Sequence, residues 1–181
     1  MDIIRINSDV PDKKIINYAV KVLNQGGVVM YPTDTAYGLA ADIENRQGIE
    51  KIFKIKVRMK QKTLPLIAGS ILMVGRYIKW TAAGKLLAKK YWPGPLTLVL
   101  ETRIPPKARL ASSGLNLVLQ RAEQRITRHG EIAIRVPDNK IAQMISQKLG
   151  RPITSTSANI SGQPECYSVA EFLNQVIGKK F

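Results

Sequence analysis

The chain has 181 residues, 45% of them hydrophobic, which is enough for a packed core without disulfides or metals and too much for a disordered chain. Its 28 Lys and Arg against 13 Asp and Glu give a formal charge of +15. Self-repulsion on that scale weakens a folded state and points to an anionic partner: nucleic acid, nucleotide phosphates or an acidic membrane surface. No apolar run approaches the ~20 residues that cross a bilayer. The N-terminus lacks the charged-then-apolar pattern of a signal peptide, and the single cysteine, Cys166, excludes an internal disulfide, so the expected location is cytoplasmic.

In chain order, Ile3 to Ile6 reads as a short strand. Ile15, Ala19, Val22 and Leu23 have helical spacing, and Gly26-Gly27 ends that helix. Val28 to Tyr31 reads as a buried strand cut by Pro32. Ile49, Ile52 and Phe53 mark a second helix running to about Ile55, and Leu64 to Ala68 another strand. Ser70 and Thr81 are N-caps for two helices ending near Tyr91. After the Pro93-Gly94-Pro95 turn, Leu96 to Leu100, Leu115 to Leu119 and Ile132 to Val136 read as strands. Asp138 caps a helix through Ile141, Ile145 and Leu149, which Gly150 closes. Pro152 to Ser155 enters a strand, and Ser168 with Glu171 forms a capping box for the last helix. No repeat or long linker divides the chain, so residues 1–181 read as a single α/β domain whose strand-rich second half predicts a mixed sheet.

Several chemistries lack their residues. The one histidine, His129, lies between Arg125 and Arg128 and Gly130 in a segment that reads as a surface loop, away from any triad. Cys and His cannot supply four zinc ligands, and neither common phosphate loop, G-x-x-x-x-G-K-[ST] or G-x-G-x-x-G, occurs.

Four segments do carry chemistry. Tyr31-Pro32-Thr33-Asp34-Thr35-Ala36-Tyr37-Gly38 gathers hydroxyls and a carboxylate at a strand end, where α/β sheets bind ligands; taken alone it reads as a self-satisfied turn. From Lys54 through Lys56, Arg58, Lys60 and Lys62 every second residue is basic, which in extended backbone makes a one-sided rail for phosphates and otherwise a solvated loop. Tyr91-Trp92-Pro93-Gly94-Pro95-Leu96-Thr97 reads as structural, with Trp92 anchoring a turn. Thr154-Ser155-Thr156-Ser157-Ala158-Asn159 leaves a strand with small hydroxyl side chains, which let backbone N–H groups approach a phosphate.

Together with Ile-Phe-x-Ile-Lys-x-Arg, Ile-Arg-Val-Pro-Asp and Thr-Ser-Ala-Asn-x-Ser-Gly, these segments occur in one order from about Ile15 to Ser168. In that combination the chain resembles the YrdC-like threonylcarbamoyl-AMP synthases. The resemblance implies a twisted, mixed open sheet with flanking helices and a positively charged concave face. It implies a nucleotidyltransferase that makes threonylcarbamoyl-AMP and pyrophosphate from L-threonine, bicarbonate and ATP, for threonylcarbamoyladenosine modification of tRNA by downstream transferase proteins. It places ATP on Lys56, Arg58, Ser157 and Asn159, with Mg²⁺ accompanying the nucleotide, and threonine on Thr35, Arg135 and Ser155. Lys56 would be a point charge on the phosphates and Arg58 a forked contact.

Family members often carry Lys-Gly-Arg-Pro where this chain has Val57 and Met59, which implies a different loop path. Many also continue past the last helix with a Gly-rich segment and a strand, whereas this chain stops at Phe181, which implies a less enclosed site. Two other readings stand beside the synthase. One is a non-catalytic module of the same fold that binds tRNA or another structured RNA, which the +15 charge favours. The other is a related carbamoyl-adenylate chemistry on a different amine.

Overall fold

The computed structural model describes residues 1–57, 63–103 and 125–177. Its helices start where side-chain caps are available. Helix α1, Lys13–Asn24, opens with Asp12 accepting the Lys14 N–H at 2.7 Å, and Gly26 beyond its end has a left-handed φ of 72°. Its inward stripe is Ile16, Val20 and Leu23, packed on Ile141, Ile145 and Leu149. Ile15, Ala19 and Val22 of the expected stripe are only partly buried, so the helix is rotated by about one residue. Helix α2, Arg46–Ile55, is capped by Asn45 and buries Ile49, Ile52 and Phe53 as expected. Ser70 and Thr81 cap α3 (Ile71–Val74) and α4 (Ala82–Tyr91).

Helix α5, Lys140–Leu149, differs in one detail. Its cap is Asn139, whose Oδ1 accepts the Ala142 N–H at 3.0 Å, and Asp138 instead donates its backbone N–H to Asp34. Gly150 closes the helix in the left-handed region, at φ 78°. Helix α6, Val169–Val176, has the expected Ser168–Glu171 box.

The strands form two sheets. In the first, β1 (Val29–Tyr31), β2 (Gly38–Ala40) and β8 (Thr156–Ser157) run antiparallel in that order. The second has the order β4 (Leu98–Glu101), β6 (Glu131–Arg135), β3 (Leu66–Ile67), β7 (Ile153–Thr154), with β5 (Thr127–Arg128) also on β6. Only β3 and β6 are parallel among these pairs, so the sheet is mixed, as expected. The Ile3–Ile6 strand does not form: an isolated apolar run gains no ladder bonds, and Ile3 and Ile4 are exposed. The expected Leu115–Leu119 strand lies outside the described residues.

Two features join the sheets. Ala41 and Thr154 exchange hydrogen bonds, Ala41 N–H to Thr154 Oγ1 at 2.8 Å and Thr154 N–H to the Ala41 carbonyl at 3.0 Å. The chain then crosses from β7 in one sheet to β8 in the other through Ser155, whose N–H donates to the Pro65 carbonyl at 2.7 Å. Arg151 ties the same corner to α5 with a two-point contact on buried Asp42, at 2.7 and 2.6 Å. Small hydroxyl residues are therefore held at a rigid junction. Among the described residues no helix is long and apolar enough to cross a membrane.

Candidate active site

The loop between β1 and β2 is folded by its own hydroxyls. Thr33 Oγ1 donates to the Ala36 carbonyl at 2.6 Å and accepts the Thr35 N–H at 3.0 Å. These bonds set Asp34 against the end of β6, where Arg135 donates to its Oδ1 at 2.8 Å and the Asp138 N–H lies 3.3 Å from its Oδ2. Both side chains are sheltered, Arg135 at 9% and Asp34 at 12% exposure, so the pair acts as a fixed, desolvated unit.

Beside it opens a cavity of about 200 Å³. Thr35, Arg135, Ser155 and Ser157 line it, together with Pro95, Thr97 and Glu165. Pro95 and Thr97 show that the Trp-Pro-Gly-Pro-Leu-Thr segment is more than structural. Trp92 is the anchor, buried and donating its indole N–H to the Leu96 carbonyl at 2.6 Å, and the residues after it wall the cavity.

Lys56 sits behind the Ser157 wall. Its side chain is only 2% exposed, and Nζ donates to the Ser157 carbonyl at 2.5 Å, the Asn159 carbonyl at 2.9 Å and Asn159 Oδ1 at 2.7 Å. An ammonium has three protons to donate, and these three oxygens of the loop are among its acceptors. Asn159 Oδ1 also accepts from Ser157 Oγ at 2.8 Å, and its amide donates to the Gln163 carbonyl at 2.5 Å, which orients the side chain without ambiguity. The Lys56 carbonyl accepts the Ser161 N–H at 2.8 Å. Lys56 thus staples residues 157–161 at both of its ends.

The basic rail does not extend through this point. Lys54 lies on α2 and is exposed, whereas Lys56 caps the helix and is buried. Arg58, Lys60 and Lys62 lie outside the described residues. Val57 between them has φ 48°, the left-handed region that suits glycine and strains a β-branched side chain. The backbone therefore keeps a turn that Lys-Gly-Arg would make without strain.

Tyr31 is buried behind Gly38, which lines the cavity. Register pairs it with Gly38, and a Cβ at Gly38 would come within 3.2 Å of the Tyr31 hydroxyl. Ser155 is the polar side chain beside that hydroxyl, but the geometry leaves it without a hydrogen bond. Burial pushes its pKa up to about 12. Cys166 is buried too, and desolvation followed by the Glu171 charge raises its thiol pKa, which disfavours the thiolate. His129 is exposed on the β5–β6 turn, as expected.

Of the expected site residues, Thr35, Arg135, Ser155 and Ser157 share one cavity, and Lys56 and Asn159 form the support behind it. Glu165 had no signal in the sequence, since a carboxylate in a polar loop looks like any solvated charge.

An open, mixed α/β fold with a small hydroxyl-lined cavity at strand ends, one side of it backed by a buried lysine, defines a ligand-binding domain built for polar, charged substrates. Comparison with known proteins places it further. The Sua5/YciO/YrdC family, described as "telomere recombination", matches residues 21–180. The chain is 35% identical over 165 residues to the threonylcarbamoyl-AMP synthase of Vibrio vulnificus (strain YJ016), covering 89% of this chain and 80% of that one. Among solved structures, Sua5 of P. abyssi complexed with L-threonine superposes with a TM-score of 0.76 at 29% identity, over 95% of this chain and 46% of the other. YciO of E. coli superposes with a TM-score of 0.74 at 29% identity, over 96% and 78%. The chain spans about half the length of the P. abyssi protein and most of the V. vulnificus one. This chain belongs to the Sua5/YciO/YrdC family.

Proposed function

We propose that this protein is a threonylcarbamoyl-AMP synthase, a nucleotidyltransferase that joins L-threonine, bicarbonate and ATP and releases pyrophosphate. The observation that carries the reading is the cavity itself, lined together by Thr35, Arg135, Ser155 and Ser157, in a chain similar to proteins of that name. The threonine carboxylate faces the Arg135 guanidinium, which Asp34 holds in place through one nitrogen. Thr35 and Ser155 offer hydroxyls to the substrate's polar groups.

The reaction needs alignment and charge neutralisation more than a covalent nucleophile. The substrate ammonium gives up a proton, the free amine and bicarbonate give a carbamate and water, a carbamate oxygen attacks the α-phosphorus, and pyrophosphate leaves. The buried thiol of Cys166 and the distant His129 are not needed. Lys56 acts through the loop: its charge lies directly under the Ser157 and Asn159 carbonyls and fixes the surface on which the phosphates rest, with Arg58 as the forked contact. Among the described residues no three His, Cys, Asp or Glu side chains cluster as metal ligands. That donor set suits a Mg²⁺ held mainly by the nucleotide's own phosphates and water, which would neutralise charge on the departing pyrophosphate.

The product would be consumed by a transferase acting on tRNA. The +15 charge also favours direct contact with structured RNA, which is compatible with catalysis in one chain. Incubation with ATP, labelled threonine and bicarbonate tests the reading: pyrophosphate release that requires both co-substrates supports it. Release independent of threonine would sink it.

A further inference from the structure

We propose that Glu165 is a substrate-binding residue that takes the α-ammonium of the amino acid. The inference rests on the amino-acid reading above and adds a residue to it. A zwitterion has two charges, and a cavity that selects it must answer both. Arg135 answers the carboxylate. The Asp34 carboxylate is engaged by Arg135 and the Asp138 N–H and is not among the residues that line the cavity. Glu165 is the one carboxylate that borders the cavity among the described residues, and there its side chain has no ion pair or hydrogen bond.

The backbone around Glu165 is fixed on both sides. The Pro164 carbonyl accepts from Gln175 Nε2 at 2.9 Å, and Gln175 Oε1 accepts the Ile160 N–H at 3.0 Å. On the other side Cys166 is fully buried and its carbonyl accepts the Tyr37 N–H at 3.0 Å. The backbone that carries Glu165 is thereby fixed beside the end of the Thr33–Tyr37 loop, at the border of the cavity. A negative charge beside a phosphate site repels the nucleotide, so its place there is explained by a cation that binds with it. The ammonium of the substrate is that cation, and the contact is a charge-assisted hydrogen bond.

The test is calorimetric titration of the full chain in EDTA, so that no metal bridges the groups, with L-threonine and with 3-hydroxybutyrate, which lacks the ammonium. Wild type is expected to prefer threonine by at least about tenfold. Glu165→Gln and Glu165→Ala are expected to bind threonine about tenfold more weakly and 3-hydroxybutyrate as wild type does. Because Glu165 is exposed, both variants fold normally, which circular dichroism checks. A Glu165→Gln protein that keeps the wild-type preference would overturn the inference alone. Failure of the wild type to bind threonine would overturn the amino-acid reading, and this inference with it.

Discussion

The ammonium of Lys56 is shared between two oxygens of a single residue, lying 2.7 Å from Asn159 Oδ1 and 2.9 Å from the Asn159 carbonyl. That contact makes Lys56 part of the loop's architecture. Replacing it with Met leaves buried acceptors without a donor. The expected cost is about 2–4 kcal/mol of stability together with loss of activity. A lysine that only touched phosphate would lose activity with an unchanged denaturation midpoint, so urea unfolding separates the two roles.

Val57 holds a left-handed φ of 48° and is exposed. Val57→Gly relieves about 1–2 kcal/mol of steric cost and returns part of it as unfolded-state entropy. A net gain of about 1 kcal/mol is expected, seen as a higher Tm with the site intact. A lower Tm would show that the side chain contributes packing not evident from its exposure.

Asp34 fixes Arg135 from a nearly buried position. Asp34→Asn removes the countercharge and leaves a sheltered guanidinium uncompensated, at an expected cost of about 3 kcal/mol. Because Arg135 then loses its fixed orientation, the KM for threonine should rise more than kcat falls. Steady-state kinetics at varied threonine and saturating ATP reads the difference; an unchanged KM would remove Arg135 from the amino-acid site.

Tyr31 links stability to alkaline pH. In the unfolded chain its phenol ionises near 10, and in the fold near 12, because burial disfavours the phenolate. Between those values the folded state retains a proton that the unfolded state has lost. Stability is therefore complete below pH 10 and declines as pH rises through 12, by about 3 kcal/mol for this group. Tyr31→Phe should lose that part of the alkaline slope. At neutral pH it should be as stable as wild type, since the hydroxyl it removes has no partner. Equal alkaline slopes in the two proteins would show that the hydroxyl reaches solvent.

The helices were largely legible because their caps are local. Asn45 was not foreseen, but Ser70, Thr81, Gly150 and the Ser168–Glu171 box sit where their chemistry requires. Strands β2 and β8 were hidden because Gly38 to Ala40 and Thr156-Ser157 have small or hydroxyl side chains, and their pairing is set by partners far along the chain. The family resemblance assigned a role to four of the cavity's residues, Thr35, Arg135, Ser155 and Ser157. It did not reveal that Lys56 faces inward, because whether a helix-end lysine is buried depends on the loop that folds over it. Glu165 was invisible for the same reason: its position is made by Gln175 and Tyr37, not by its neighbours in sequence.

The most direct measurement is the product assay with purified chain, ATP, Mg²⁺, bicarbonate and labelled L-threonine, followed by chromatography of the adenylate. The account predicts a labelled threonylcarbamoyl-AMP formed with equimolar pyrophosphate, absent without bicarbonate and lost in Asp34→Asn at low threonine. A folded protein that binds ATP and threonine yet releases no pyrophosphate when bicarbonate is supplied would contradict it.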